Sequence, residues 1–205
     1  MTSAALIAGV SAGLAVAVPL GPIGVMIVDT GIRDGGRSAF AAGLGTATVD
    51  GLYAAAAALF GAAIAHVFAP AENAVRLLAA AVLIAIGVYG LLRLRRGGRA
   101  APPEAQAPPP AHHLFARFFA LTAVNPGTAA TFAALMLGLP AVAAGSAADR
   151  ALFVAGAFLA SLAWQSLLAG SGALLGHRLP PSGRRWTSLA GNVIVLGLAV
   201  RLLAG

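Results

Sequence analysis

Six apolar runs, each near or above the length a helix needs to cross a bilayer, limit what this chain can fold into. A helix rises about 1.5 Å per residue, so a hydrocarbon core of about 30 Å takes about 20 apolar residues. Runs of that order lie at Ala4–Val28, Ser38–Val67, Val75–Leu92, Leu114–Leu139, Arg150–Leu175 and Trp186–Ala204, cut apart by arginine, proline or acidic residues. In lipid a backbone N–H or C=O has no water to pair with, so runs of this kind resolve as helices. Only 9% of the 205 residues are charged and 60% are hydrophobic. A soluble domain carries about 25% charged residues, and this chain has too few to coat a surface in water. "AVA" at Ala15–Ala17 resembles a signal cleavage site, but no basic segment precedes the first run, so it reads as a retained span.

Arginine supplies all 13 basic side chains. Ten of them fall between spans one and two, three and four, or five and six; Arg76, Arg150 and Arg201 fall on the other side. Cytoplasmic loops carry the excess of basic residues, so the ten face the cytoplasm and both termini face outward. The chain then reads as one integral membrane domain, 1–205, with a three-span half at 1–92, a cytoplasmic linker at 93–113 and a second half at 114–205. The linker is rich in proline, alanine and glycine, and His112 and His113 stand in it without a carboxylate or thiol nearby. It reads as a solvated connection, and no metal site is expected there.

An odd number of spans per half sends the second half into the membrane with the opposite polarity, the arrangement of inverted-topology repeats. Two spans at corresponding positions are interrupted. "AVPLGPIGV" places Pro19, Gly21 and Pro22 inside the first, and "VNPGT" places Asn125, Pro126 and Thr128 inside the fourth. A proline inside a helix removes a donor and clashes with the preceding turn, at about 3 kcal/mol. Matched breaks expose backbone donors and acceptors near the midplane, where they can hold a polar substrate. Weaker echoes align Gly43 with Gly156 and Gly87 with Gly197. The expected fold is an all-α polytopic membrane protein of six helices in two inverted three-helix repeats, with helices one and four broken at Gly-Pro and Asn-Pro.

Asp50 lies twelve residues into the second span, about 18 Å along a helix and near the bilayer centre. A carboxylate there costs about 2.5–3.5 kcal/mol on insertion scales and marks a functional site by default. A group that can be neutral in one access state and charged in another suits proton-coupled exchange. Asp29, Asp34, Glu72, Glu104 and Asp149 fall near span ends or in loops, and Asp149 is the expected N-cap of span five. Thr46 is four residues from Asp50 and shares its face. Asn125 offers an amide beside the second proline. The other deep polar residues are Thr48, Ser161, Gln165, Ser166 and Asn192; Thr48, Ser161 and Ser166 are expected to bond their own backbone or to join helices. Gly9 and Gly13, four apart, suggest close helix packing.

Several chemistries are excluded. With no lysine there is no P-loop and no Schiff base. With no cysteine there is no thiol nucleophile, thiolate metal site or iron-sulfur cluster. No HExxH, paired-acid or His-acid constellation lies inside the spans, so no enzyme activity is expected.

The stretch "GPIGVMIVDTGIRDGGRSAFAAGLGTATVDGLYAAAAALFG", Gly21–Gly61, resembles the N-terminal signature of the lysine exporter (LysE/RhtB-type) translocators. "NPGTAATF", Asn125–Phe132, resembles that family's second motif. It departs at Gly127, where members often carry lysine. The resemblance implies a secondary transporter of a bacterial plasma (inner) membrane, multi-pass, exporting an amino acid or related metabolite, with Gly21, Pro22, Asp50, Asn125 and Pro126 as the functional set. Residues and resemblance together give an expected substrate-binding set of Pro19, Gly21, Pro22, Thr46, Asp50, Asn125, Pro126 and Thr128, with Asp50 coupling protons. The partners are then a small-molecule amino acid, protons and the lipid bilayer, with room for a homodimer and no nucleic acid; no cofactor and no metal are implied. Efflux of a metal or other small inorganic ion is the alternative, and a non-transport membrane assembly protein a further one.

Overall fold

Helices account for every regular element among the described residues of the computed structural model. These are residues 2–18, 22–68, 109–125 and 145–178, with single positions between 77 and 92, at 128, 131 and 180, and between 186 and 200. The helices are α1 (Thr2–Ala17), α2 (Pro22–Asp34), α3 (Gly36–Phe68), α4 (Ala111–Ala123) and α5 (Ala147–Arg178). By length and apolarity, Gly36–Phe60 of α3 and all of α5 each suffice to cross a membrane. Ser3–Ala17 and Pro22–Asp34 together pass the same test as a bent pair. Large apolar side chains such as Ile7, Leu59 and Leu174 point outward, as they do where lipid is the solvent.

The first expected span, Ala4–Val28, is two helices whose axes meet at 77°. Pro19 and Gly21 lie outside the described residues, and Pro22 is the first residue of α2. Proline fits that position because the first helical N–H has no intrahelical acceptor. Contrary to the expected end at Val28, α2 continues to Asp34, and the Asp29–Arg33 ion pair, one turn apart at 3.0 Å, neutralises the charges that it carries. The turn into α3 is made by Gly35, at φ 85°. No neighbour lies within 4 Å of a Cβ at that site, so the backbone conformation alone requires glycine.

Spans two and five match α3 and α5 to within three residues at each end. Spans three and six fall largely outside the described residues. The last residues of the expected linker, Ala111, His112 and His113, form the first turn of α4, with both histidines exposed. One further expectation is corrected at a helix start. Asp149 is not the N-cap of α5. That residue is Ser146, whose Oγ accepts from the Asp149 N–H at 3.2 Å while Asp149 Oδ2 accepts from the Ser146 N–H at 3.2 Å. The reciprocal pair forms because Asp149, at the third helical position, reaches back over the first turn.

The long helix α5 is the centre of the packing: α1, α2 and α3 lie against it, and α4 lies against α3. Small residues let α1 approach closely, since a Cβ at Gly9 would fall on the Phe153 carbonyl and one at Gly13 on the Ala157 carbonyl. Two apolar clusters result. One joins Ala12, Ala54, Ala57, Ala58, Phe153 and Ala157; the other joins Ile27, Ala39, Ala42, Phe118, Leu168 and Ala169. Along both α3 and α5, a layer of buried polar residues separates them.

Candidate functional site

The polar layer is built from helical pairs. Thr46 and Asp50 share a face of α3, Ser161 and Gln165 share a face of α5, and each pair is one turn apart; Asp50 meets Ser161 of α5, and Thr46 meets Thr122 of α4. Asp50 is 2% exposed. Ser161 Oγ donates to Asp50 Oδ2 at 2.6 Å, a short bond of the kind a carboxylate oxygen makes to a hydroxyl. Thr122 of α4 donates to its own helix at Phe118 O, 2.8 Å, and its hydroxyl lies 3.3 Å from that of Thr46. One turn beyond Asp50, Tyr53 donates its hydroxyl to Ala123 O at 2.7 Å. That carbonyl ends α4 and has no partner within the helix, so Tyr53 ties the end of α4 to the helix carrying Asp50.

A cavity of about 90 Å³ opens at this level. Its walls are Val16 and Ala17 at the end of α1, Pro22, Ile23 and Gly24 at the start of α2, and Thr46 and Asp50 of α3. Thr122, Asn125, Thr128 and Gln165 also line it among the described residues. One water needs about 10–15 Å³ of such space, so the cavity takes several waters or the polar head of a small solute. An α-helix N-terminus, a carboxylate and amides thus face one enclosure, which can meet negative and positive groups together.

Of the expected binding residues, Pro22, Thr46, Asp50, Asn125 and Thr128 line this cavity. Pro19, Gly21 and Pro126 lie outside the described residues, as does Asn192. Thr48 and Ser166 bond back to Leu44 O and Leu162 O, as expected of isolated hydroxyls in membrane helices. Ser161 departs from that expectation by crossing to Asp50. Gln165 and Thr122 are the other residues that sequence reasoning left without a role. The spacing of Ser161 and Gln165 repeats that of Thr46 and Asp50, and Thr122 stands three residues before Asn125. Among the described residues no three His, Cys, Asp or Glu side chains converge as metal ligands would.

The model of the LysE type translocator family matches residues 14–205. The chain belongs to this family. No curated protein and no solved structure matches it. As a LysE type translocator it is a multi-pass membrane protein that carries a small molecule across the bilayer. In this translocator the described polar cavity lies between the two apolar clusters, walled by the ends of α1, α2 and α4 and by the faces of α3 and α5.

Proposed function

We propose that this translocator exports a small amino acid or a related metabolite across a bacterial inner membrane, by proton antiport with alternating access. The observation that carries the reading is the burial of Asp50 in a cavity that also receives the N-terminus of α2. The first N–H groups of a helix have no intrahelical acceptor and carry the positive end of its dipole, so those of α2 suit a substrate carboxylate. Asp50 suits the ammonium and, once that leaves, a proton. Exchange for an inward proton draws on the membrane potential, about 2.3 kcal/mol per charge per 100 mV.

Alternating access in such proteins rests on two inverted repeats rocking about a shared site. The packing supports that arrangement. The bent first span lies on span five, and α4, the start of span four, lies on span two, the exchange that a two-fold axis relating the halves generates. In this reading both termini are outside, and residues 93–113 join the halves on the cytoplasmic side.

The test is export from proteoliposomes holding the full chain and loaded with a mixture of amino acids. Asp50→Asn keeps the size of the side chain and removes its ability to ionise. Export by the variant is expected to fall at least about tenfold and to lose its response to an imposed pH gradient, since tenfold corresponds to about 1.4 kcal/mol of lost interaction. Wild-type rates with an unchanged gradient response would reject proton coupling at Asp50.

A further inference from the structure

Gln165 is the one side chain of α5 in the cavity wall, and the proposed mechanism gives it nothing to do. It is 4% exposed, and its Oε1 is enclosed without a hydrogen-bond partner. A buried amide left unsatisfied is costly, and folds retain such a group where something else meets it. The residue is also held firmly in place. A Cβ at Gly43 would come within 2.9 Å of Gln165 Cβ, so α3 lies directly on the base of the side chain.

Its height along α5 is informative. Gly13 of α1 faces Ala157, while Gly31 of α2 faces Ala169 and Gly172. Residue numbers rise together along each of these helices and α5, and where α1 ends and α2 begins, Ala17 and Pro22 line the same cavity as Asp50 and Gln165. Ser161 is bonded to Asp50. Gln165 therefore shares the cavity with the N-terminus of α2, which suits a carboxylate, and with Asp50, which suits an ammonium. An amide carries two donors on one atom and an acceptor on the next. A free α-amino acid carries an acceptor carboxylate and a donor ammonium on a single carbon.

Building on the amino-acid reading above, we infer that Gln165 recognises the zwitterionic head of an α-amino acid. Its Nε2 donates to the substrate carboxylate and its Oε1 accepts from the ammonium, and it selects against substrates in which these two groups are further apart. At about 90 Å³ the cavity has room for such a head group, and the head is what all α-amino acids share.

The test uses proteoliposomes holding the full chain, loaded with the proteinogenic α-amino acids and, for each, the β-homo analogue that keeps the side chain and inserts one methylene between ammonium and carboxylate. Efflux of each pair is read by mass spectrometry. The wild type is expected to favour the α member of any exported pair by about tenfold or more, the equivalent of one hydrogen bond to a charged group. Gln165→Leu is expected to slow export of the α member about ten- to hundredfold and to bring the two members of the pair to similar rates. Gln165→Met, with an unbranched apolar chain of similar length, is read in the same way if the leucine variant does not fold. A structural glutamine would leave the ratio at its wild-type value in either variant, and that result overturns the inference while leaving amino-acid export standing. If neither variant folds, the wild-type ratio decides, and equal rates for the two members overturn it. A wild type that exports none of the compounds overturns the amino-acid reading, and this inference with it.

Discussion

Ser161 shows what a single hydroxyl does when two helices meet. A serine in a membrane helix has its own preceding carbonyl always within reach, and Ser166 on the same helix takes that option with Leu162 O at 2.7 Å. Ser161 instead faces a carboxylate from α3, and the charge-assisted bond is the stronger partner. Replacing Ser161 with alanine is therefore expected to cost about 1–3 kcal/mol, because a buried oxygen of Asp50 loses its donor. Ser166→Ala should stay within about 0.5 kcal/mol. Unfolding in mixed detergent measures both, and Ser161→Thr, which retains the hydroxyl, should recover most of the loss; equal effects at 161 and 166 would mean that the bond to Asp50 adds nothing to stability. Asp50 itself was legible in the sequence, since a carboxylate far from either end of an apolar run has few bland explanations. Ser161 was not. Its role depends on which helix lies opposite, and a one-dimensional pattern does not carry that.

Packing against α5 depends on missing side chains. Where a Cβ at Gly9 or Gly156 would stand, the neighbouring atoms are backbone: the Phe153 carbonyl in one case, Leu6 O at 2.7 Å and Val10 N at 3.0 Å in the other. Backbone cannot swing aside as a flexible side chain does, so Gly9→Ala or Gly156→Ala must push α1 away from α5. The expected cost is about 1–3 kcal/mol, the range for overpacking a close interface. At Gly170 on the same helix, an added methyl group would meet nothing within 4 Å, so Gly170→Ala should be neutral or stabilise by up to about 1 kcal/mol through helix propensity. Thermal melting of the three variants in one detergent checks the contrast; a uniform loss would mean that helix flexibility, not contact, governs these sites. The spacing of Gly9 and Gly13 pointed to close packing of α1, without naming the partner helix. Hydropathy placed α3 and α5 within three residues but treated Ala4–Val28 as one span, because apolarity runs on unchanged through residues where the helix stops. The prolines marked that stop, and the length of α2 came from a local ion pair that a hydropathy pattern counts only as polarity.

For the molecule as a whole, the face that each end of the site presents to the cytoplasm depends on which side the arginine-rich connections lie. The asymmetry of ten against three predicts them inside, and six spans then return the C-terminus to the side of the N-terminus. The chain contains no cysteine, so any single introduced thiol reports on its own position. Thr2→Cys is expected to react with a membrane-impermeant maleimide added to spheroplasts, whereas Gly98→Cys, within the arginine-rich connection, should react only once the membrane is opened. The reverse pattern would turn the molecule over, with the α2 N-terminus and Asp50 unchanged in their chemistry but reached from the opposite side. Labelling of both positions in sealed spheroplasts would break the parity of three spans per half. The inverted-repeat reading depends on that parity, because only an odd count places the bent first span and the start of span four in the membrane with opposite polarity, around the polar layer that holds Asp50.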